Sequence, residues 1–239
     1  MKKLLVSLAV CLMFVSAAFA QKGEWSVTVG TDAMSQYIWR GSATALRPTL
    51  MPTATLDWEN ENCSFEIGHC SVNELTGDEY LEFDFWAYAS YKGLNLTITE
   101  YGMGNNLGAG GYEDNLEISL GYEFPWSVPV SLSFNTFVLG DDINENGSRA
   151  FSSYAEISVP YEVGNFSFNG VLGAVPFRSD YMYGNCNDAF KITNITLSAA
   201  YNLSSGDLNL PVYAQFTRNP LTKCNYYVLG CSLSIGFEL

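Results

Sequence analysis

Basic side chains are scarce in this sequence of 239 residues, with 11 Lys+Arg against 25 Asp+Glu, one histidine, and a formal net charge of -14. Binding to nucleic acid needs clustered Lys and Arg to neutralise phosphates, so the balance excludes that class of partner. Charged residues are only 15% of the chain and hydrophobic ones 48%, which excludes intrinsic disorder. Ala/Glu/Lys/Arg-rich helical stretches are missing, and so is any run of 18 or more apolar residues that would cross a bilayer as a helix. Aromatics and turn formers are what the chain does have, with 15 Tyr, 15 Phe, 5 Trp and 21 Gly. A β-rich protein remains.

The first twenty residues read as an address. Lys2-Lys3 is followed by the apolar run Leu4 to Val15 and by Ala18-Phe19-Ala20 just before Gln21. That order is expected of a cleaved secretory signal peptide of bacterial style over residues 1–20, leaving 21–239 as one domain outside the cytoplasm. Without Lys2 and Lys3, 9 basic and 25 acidic residues remain.

Period-2 alternation then runs to the end of the chain. Leu81, Phe83, Phe85, Ala87, Ala89 and Tyr91 oppose Glu82, Asp84, Trp86, Tyr88 and Ser90; Leu116, Ile118, Leu120, Tyr122 and Phe124 oppose Glu117, Ser119, Gly121 and Glu123. No helical period competes. Twelve strands are predicted, over 25–40, 48–58, 62–70, 80–91, 94–101, 113–124, 128–139, 149–162, 165–175, 190–202, 210–218 and 223–238. Every second connection is short, as at Lys92-Gly93 and Val163-Gly164, and most of the others are long and polar, as at 71–79, 102–112, 140–148 and 176–189. The expectation is an all-β fold: an antiparallel up-and-down transmembrane β-barrel of about twelve strands. Its termini would lie at the short-turn, periplasmic end and its apolar strand faces in the lipid of a bacterial outer membrane. A soluble sandwich alternates too, but would bury one face against a second sheet.

The segment Ser35-Gln36-Tyr37-Ile38-Trp39-Arg40-Gly41 with Arg47-Pro48 resembles the opening of the TorF-like family, porin-like outer-membrane barrels of Bacteroidetes type. Further similar stretches are Ile67 to Ser71 leading to Glu82-Phe83-Asp84, Thr97 to Tyr101, Asn146 to Ser152, Ile192 to Ile195 and Leu210 to Val212. The resemblance covers most of the chain after the leader. It implies a barrel delivered by the barrel-assembly machinery and a porin-like role, without naming a solute. Where such barrels typically end on an aromatic residue, this chain ends Phe237-Glu238-Leu239.

Carboxylates and aromatics at Glu66, Glu82, Asp84, Trp86, Tyr88, Glu117 and Glu156 fall on the polar strand faces and are the expected pore lining. Rings of carboxylates would favour cations over other small hydrophilic solutes. If those aromatics close the lumen instead, the alternative is a sealed structural or adhesive barrel. Arg40, Arg47, Arg149, Arg178 and Arg218 fall at the outer strand ends, a basic set suited to lipopolysaccharide phosphates. His69 and Ser71 share a strand face, so a lipid-hydrolysing barrel with His69 as base, Ser71 as nucleophile and Asp78 or Glu82 as orienting acid is a third reading. The expected answer is nonetheless no enzyme and no cofactor. Asp142, Asn144, Asn146 and Gly147 match the opening of a calcium loop, but position twelve is Ser153, which supplies no bidentate carboxylate. Five cysteines follow the leader, and the loop positions make Cys186 with Cys224 the first candidate for a disulfide.

Overall fold

The computed structural model describes residues 23–76, 81–103, 113–177, 179, 190–203 and 208–239. Everything regular among them is β. The strands are β1 (Glu24–Met34), β2 (Tyr37–Trp39), β3 (Ser42–Ala45), β4 (Thr49–Glu59), β5 (Cys63–Glu74), β6 (Leu81–Tyr91), β7 (Leu94–Met103) and β8 (Glu113–Phe124). They continue as β9 (Val130–Gly140), β10 (Ser153–Val163), β11 (Phe166–Val175), β12 (Lys191–Asn202), β13 (Leu208–Asn209), β14 (Pro211–Asn219) and β15 (Cys224–Glu238).

Twelve of these strands form one closed antiparallel barrel in the order β1, β4 to β12, β14, β15, and β15 returns to β1 from Ser26↔Glu238 through Met34↔Gly230. Closure removes every free edge, the reason a barrel can sit in a medium that offers no hydrogen bonds. β13 is a two-residue flap on β15. The Lys92-Gly93 connection between β6 and β7 has φ of 48° and 86°, the left-handed pair that a tight two-residue hairpin requires.

The outward face carries exposed apolar side chains on strand after strand, interrupted by a few polar groups such as Glu100. Ile67, Phe85, Ile98, Leu120, Phe134, Leu172, Leu197 and Leu229 are all exposed, with no second sheet over them. An apolar belt of that extent suits hydrocarbon and would be an aggregation surface in water. At the short-turn end the belt is edged with aromatics. Phe124 stacks on Trp126 with ring centres 4.7 Å apart, and Phe166 meets Tyr201 edge-on at 5.0 Å, the amphipathic girdle found at a membrane interface.

The ladders are not equally long. β9 and β10 pair at six positions only, from Thr136↔Ser153 to Ser131↔Ser158. Pro129 and Pro160 lie just beyond that ladder, and neither has an N–H to extend it.

The first predicted strand differs from the expectation. It leaves the wall after Met34, where Ser35 N–H donates to the Leu229 carbonyl, and residues 37–45 form a separate hairpin. β2 and β3 pair only with each other, so the hairpin makes no ladder with the barrel. Alternation through Tyr37 to Arg40 does signal a strand, but its partner is β3 and not the wall.

Candidate functional site in the barrel lumen

The hairpin turns on Arg40 and Gly41, with φ of 48° and 85°. It reaches across the lumen to strands far from its root between β1 and β4. Trp39 packs edge-on against Tyr101 of β7 with ring centres 5.9 Å apart, and Tyr101 meets Phe137 of β9 at the same distance. A β carbon at position 41 would fall 2.0 Å from the carbonyl oxygen of Thr193 on β12, so only glycine allows the tip to dock there. Thr193 is the extra residue of a bulge between β11 and β12. Asn219 on β14, itself buried, donates to the Gly41 carbonyl at 3.0 Å.

Arg40 is the centre of this contact. Its guanidinium binds Glu117 of β8 through two nitrogens, at 2.6 and 2.8 Å, a fork-on-fork carboxylate pair. Glu117 is 1% exposed and Arg40 13%. Tyr101 Oη and Ser119 Oγ also donate to Glu117, at 3.3 and 3.2 Å. The guanidinium carbon lies 4.5 Å from the Trp39 ring centre and 4.7 Å from that of Tyr154. Beside it Phe137, Tyr154 and Val175 form a fully buried cluster against which Trp39, Tyr101 and Leu221 pack. Among the described residues, packed side chains therefore occupy the lumen around the hairpin tip.

A hydrogen-bonded wall supports the filling. Tyr154 Oη donates to Glu156 at 2.7 Å and accepts from Asn194 at 3.0 Å; Thr196 donates to Asn194 and shares a 2.7 Å bond with Thr217. Gly173 lies under the Tyr154 ring, where a β carbon would come within 1.8 Å of its hydroxyl. Gly173→Ala is accordingly expected to displace Tyr154, at about 1–3 kcal/mol for overpacking and about 1 kcal/mol for each hydrogen bond lost. Gly170→Ala, with only a Leu197 methyl at 3.7 Å, is expected to be nearly neutral. Urea midpoints of the two refolded variants check this.

The other expected lining residues lie elsewhere around the lumen. Trp86 donates its indole N–H to Glu66 and lies over Gly68, whose missing side chain makes room for it. Tyr88 is opposite Glu66 in the ladder and so shares its face. Glu82 and Asp84 are buried side by side on β6, with the Cys70 thiol donating to Asp84 at 3.5 Å. Between β15, β1 and β4 a cavity of about 220 Å³ remains, lined mainly by Thr28, Gly30, Asp32, Thr53, Thr55, Ser232 and Ser234.

Among the described residues, the basic side chains are spread over separate partners. Arg40, expected at the outer rim, lies inside the lumen because Glu117 and two aromatic faces there compensate its charge. Arg47 donates to the Thr76 carbonyl beyond β5 and so ties two neighbouring connections, while Arg149 and Arg218 donate to the Gly140 and Lys223 carbonyls of their own loops. Arg178 lies outside the described residues, as do Asp78 and Cys186. Cys224, the other half of the expected disulfide, carries an exposed thiol that turns to the Thr222 carbonyl of its own turn.

His69 and Ser71 are on the outward face. His69 lies between Phe83 and Phe85, 4.3 Å from the latter, and donates through Nδ1 to the Asp84 carbonyl. Ser71 Oγ accepts from Asn73 at 2.9 Å. Glu82, one of its expected acids, points to the opposite side of the wall. In the 142–147 loop both Asp142 oxygens are taken by Ser152, Asn144 donates to Ser148 and Arg149, and Asn146 accepts from Ser148, so the three side chains are turned onto the loop itself. Among the described residues no group of three or more His, Cys, Asp or Glu side chains gathers as metal ligands would.

No protein-family description matches the sequence, and no curated protein resembles it significantly. Several solved structures are similar in shape. An outer membrane channel from Pseudomonas putida F1 is 11% identical with a TM-score of 0.46, over 90% of this chain and 95% of that one. The CymD monoaromatic hydrocarbon channel is 10% identical with a TM-score of 0.47, over 92% and 90%. OccD3 of Pseudomonas aeruginosa is 11% identical with a TM-score of 0.36, over 92% of both chains. At such identities the role of this barrel has to be argued from its own residues.

Proposed function

We propose that this chain is an outer-membrane barrel with a porin-like role, passing ions or small hydrophilic solutes and preferring cations. The observation that carries the reading is the pairing of an apolar outward belt with a lumen lined by Glu66, Glu82, Asp84, Glu117 and Glu156. A closed barrel with an apolar outside and carboxylates within is suited to moving small charged or polar species along its axis. The reading includes removal of residues 1–20 on export, insertion by the barrel-assembly machinery, and the TorF-like family as its relatives. Lipopolysaccharide around the long-loop end is the expected neighbour, with Arg47, Arg149 and Arg218 as the residues that face its phosphates.

Single-channel recording of the refolded chain in a planar bilayer under a salt gradient tests this. Discrete current steps with a reversal potential on the cation side are expected, and an anion-side reversal potential would remove the role given to the carboxylates. The inserted hairpin specifically favours one second reading, a sealed barrel serving as a surface platform. For that reading the expected record is an inserted, folded barrel with no current under any applied potential.

A further inference from the structure

The hairpin of residues 37–45 is docked in the lumen without being woven into its wall. β2 and β3 share no ladder with the barrel, and the root is tied through Ser35 N–H to Leu229 O and Gln36 Nε2 to Tyr227 O. At the far end the tip is held by Arg40 on Glu117, Asn219 on the Gly41 carbonyl, and the aromatic faces of Tyr101 and Tyr154. A segment tied at its root next to the wall strand and at its tip by side-chain contacts can swing when the tip contacts break. The strongest tip contact is an ion pair with a nearly fully buried carboxylate, and such a pair acts as a unit, since either partner left alone is a buried uncompensated charge.

We propose that the Arg40–Glu117 pair is the latch of a gate, with the hairpin as the moving part and undocking of its tip as the opening step. This deepens the porin-like reading and rests on it. A fixed constriction and a latch make different demands on the same two residues. If the hairpin were a rigid filter, Arg40→Gln would remove a positive charge and strengthen cation preference, while Glu117→Gln would remove a negative charge and weaken it. If the pair is a latch, both substitutions release the same tip, and both raise current whatever they do to selectivity.

The experiment uses the full mature chain refolded into planar bilayers, with heat-modifiable migration as the check of folding. The open fraction is expected to rise at least fivefold in Arg40→Gln and in Glu117→Gln, and to return to the native level in the exchanged pair Arg40→Glu with Glu117→Arg. Unchanged open fractions, or opposite selectivity shifts with no gain in current, would overturn the latch. Trypsin gives a second readout that needs no current. The bond after Arg40 lies at the docked tip, and Glu117→Gln, which keeps Arg40, should be cut there at least tenfold faster than the native barrel; an equal rate counts against the proposal. A variant with residues 36–46 replaced by a short Gly-Ser linker separates the two levels of inference. If it inserts and conducts while the point variants match the native protein, the passage stands and the latch falls. If it inserts and stays silent, the porin-like reading itself is wrong.

Discussion

An arginine in place of Ile98 is expected to cost about 2–4 kcal/mol of stability in a bilayer, the range for a cation on the lipid face near the midplane of a barrel. Ile98 is the fifth residue of β7, flanked in the sheet by Ala87 and Ile118, and it is 39% exposed on the outward face. The arginine side chain would lie among apolar neighbours, with Glu100, two residues along the same face, as the nearest carboxylate. Thr97 and Thr99, one step away, point to the lumen, and arginine there is expected to cost far less. The same substitution has the opposite expected sign if the outward face meets water, where replacing an exposed isoleucine by arginine is neutral or helpful. Urea midpoints of the three variants refolded in lipid vesicles therefore read the solvent outside the barrel as well as the stability.

Glu117→Ala is expected to have the second large effect, and to have it in one place. Truncating one partner of a buried ion pair costs about 3–5 kcal/mol, mostly the desolvation of the charge left behind. Here the stranded group is Arg40, which sits on a segment with no ladder to the wall. The cheaper escape is for the tip to undock and take Arg40 to water, so the loss falls on the hairpin while the twelve-strand ladder stays intact. Amide hydrogen exchange should show protection lost over residues 37–45 and kept in β7 and β8. Loss of protection throughout the barrel would mean that the hairpin is a structural strut.

Much of the wall was legible because its solvent imposes a strict pattern. Every barrel strand has an apolar outside on one face and the lumen on the other, so period 2 runs along it but for the bulges, and the expected 80–91, 94–101 and 113–124 lie within a residue or two of β6, β7 and β8. The faces of Glu82, Asp84, Glu117 and Glu156 follow from the same parity. The hairpin was hidden because alternation reports a strand and says nothing of its partner. A local signal was present even so. Arg40-Gly41 is flanked by alternating residues and adopts the same pair of positive φ angles as the short Lys92-Gly93 connection. The destination of Arg40 lies 77 positions away in sequence, at a carboxylate that looks like any other lumen residue. Nothing local could join them. By contrast, His69 and Ser71 share a face as their spacing requires, and the same parity, with Glu66 on the lumen side, already turns that face outward and away from Glu82.

The short ladder between β9 and β10 has a mechanical consequence. A cylinder under thermal strain parts where its stitching is sparsest, and six paired positions with a proline on each strand beyond them make that stitching thin at the short-turn end. Breathing of the wall would begin as a slit between Ser131 and Ser158, opening sideways into the membrane on the strands below the aromatic cluster of Phe137 and Tyr154. The long axis and the flank of this cylinder are thus two separate routes for strain, one stoppered by a hairpin and the other closed by only a few backbone bonds.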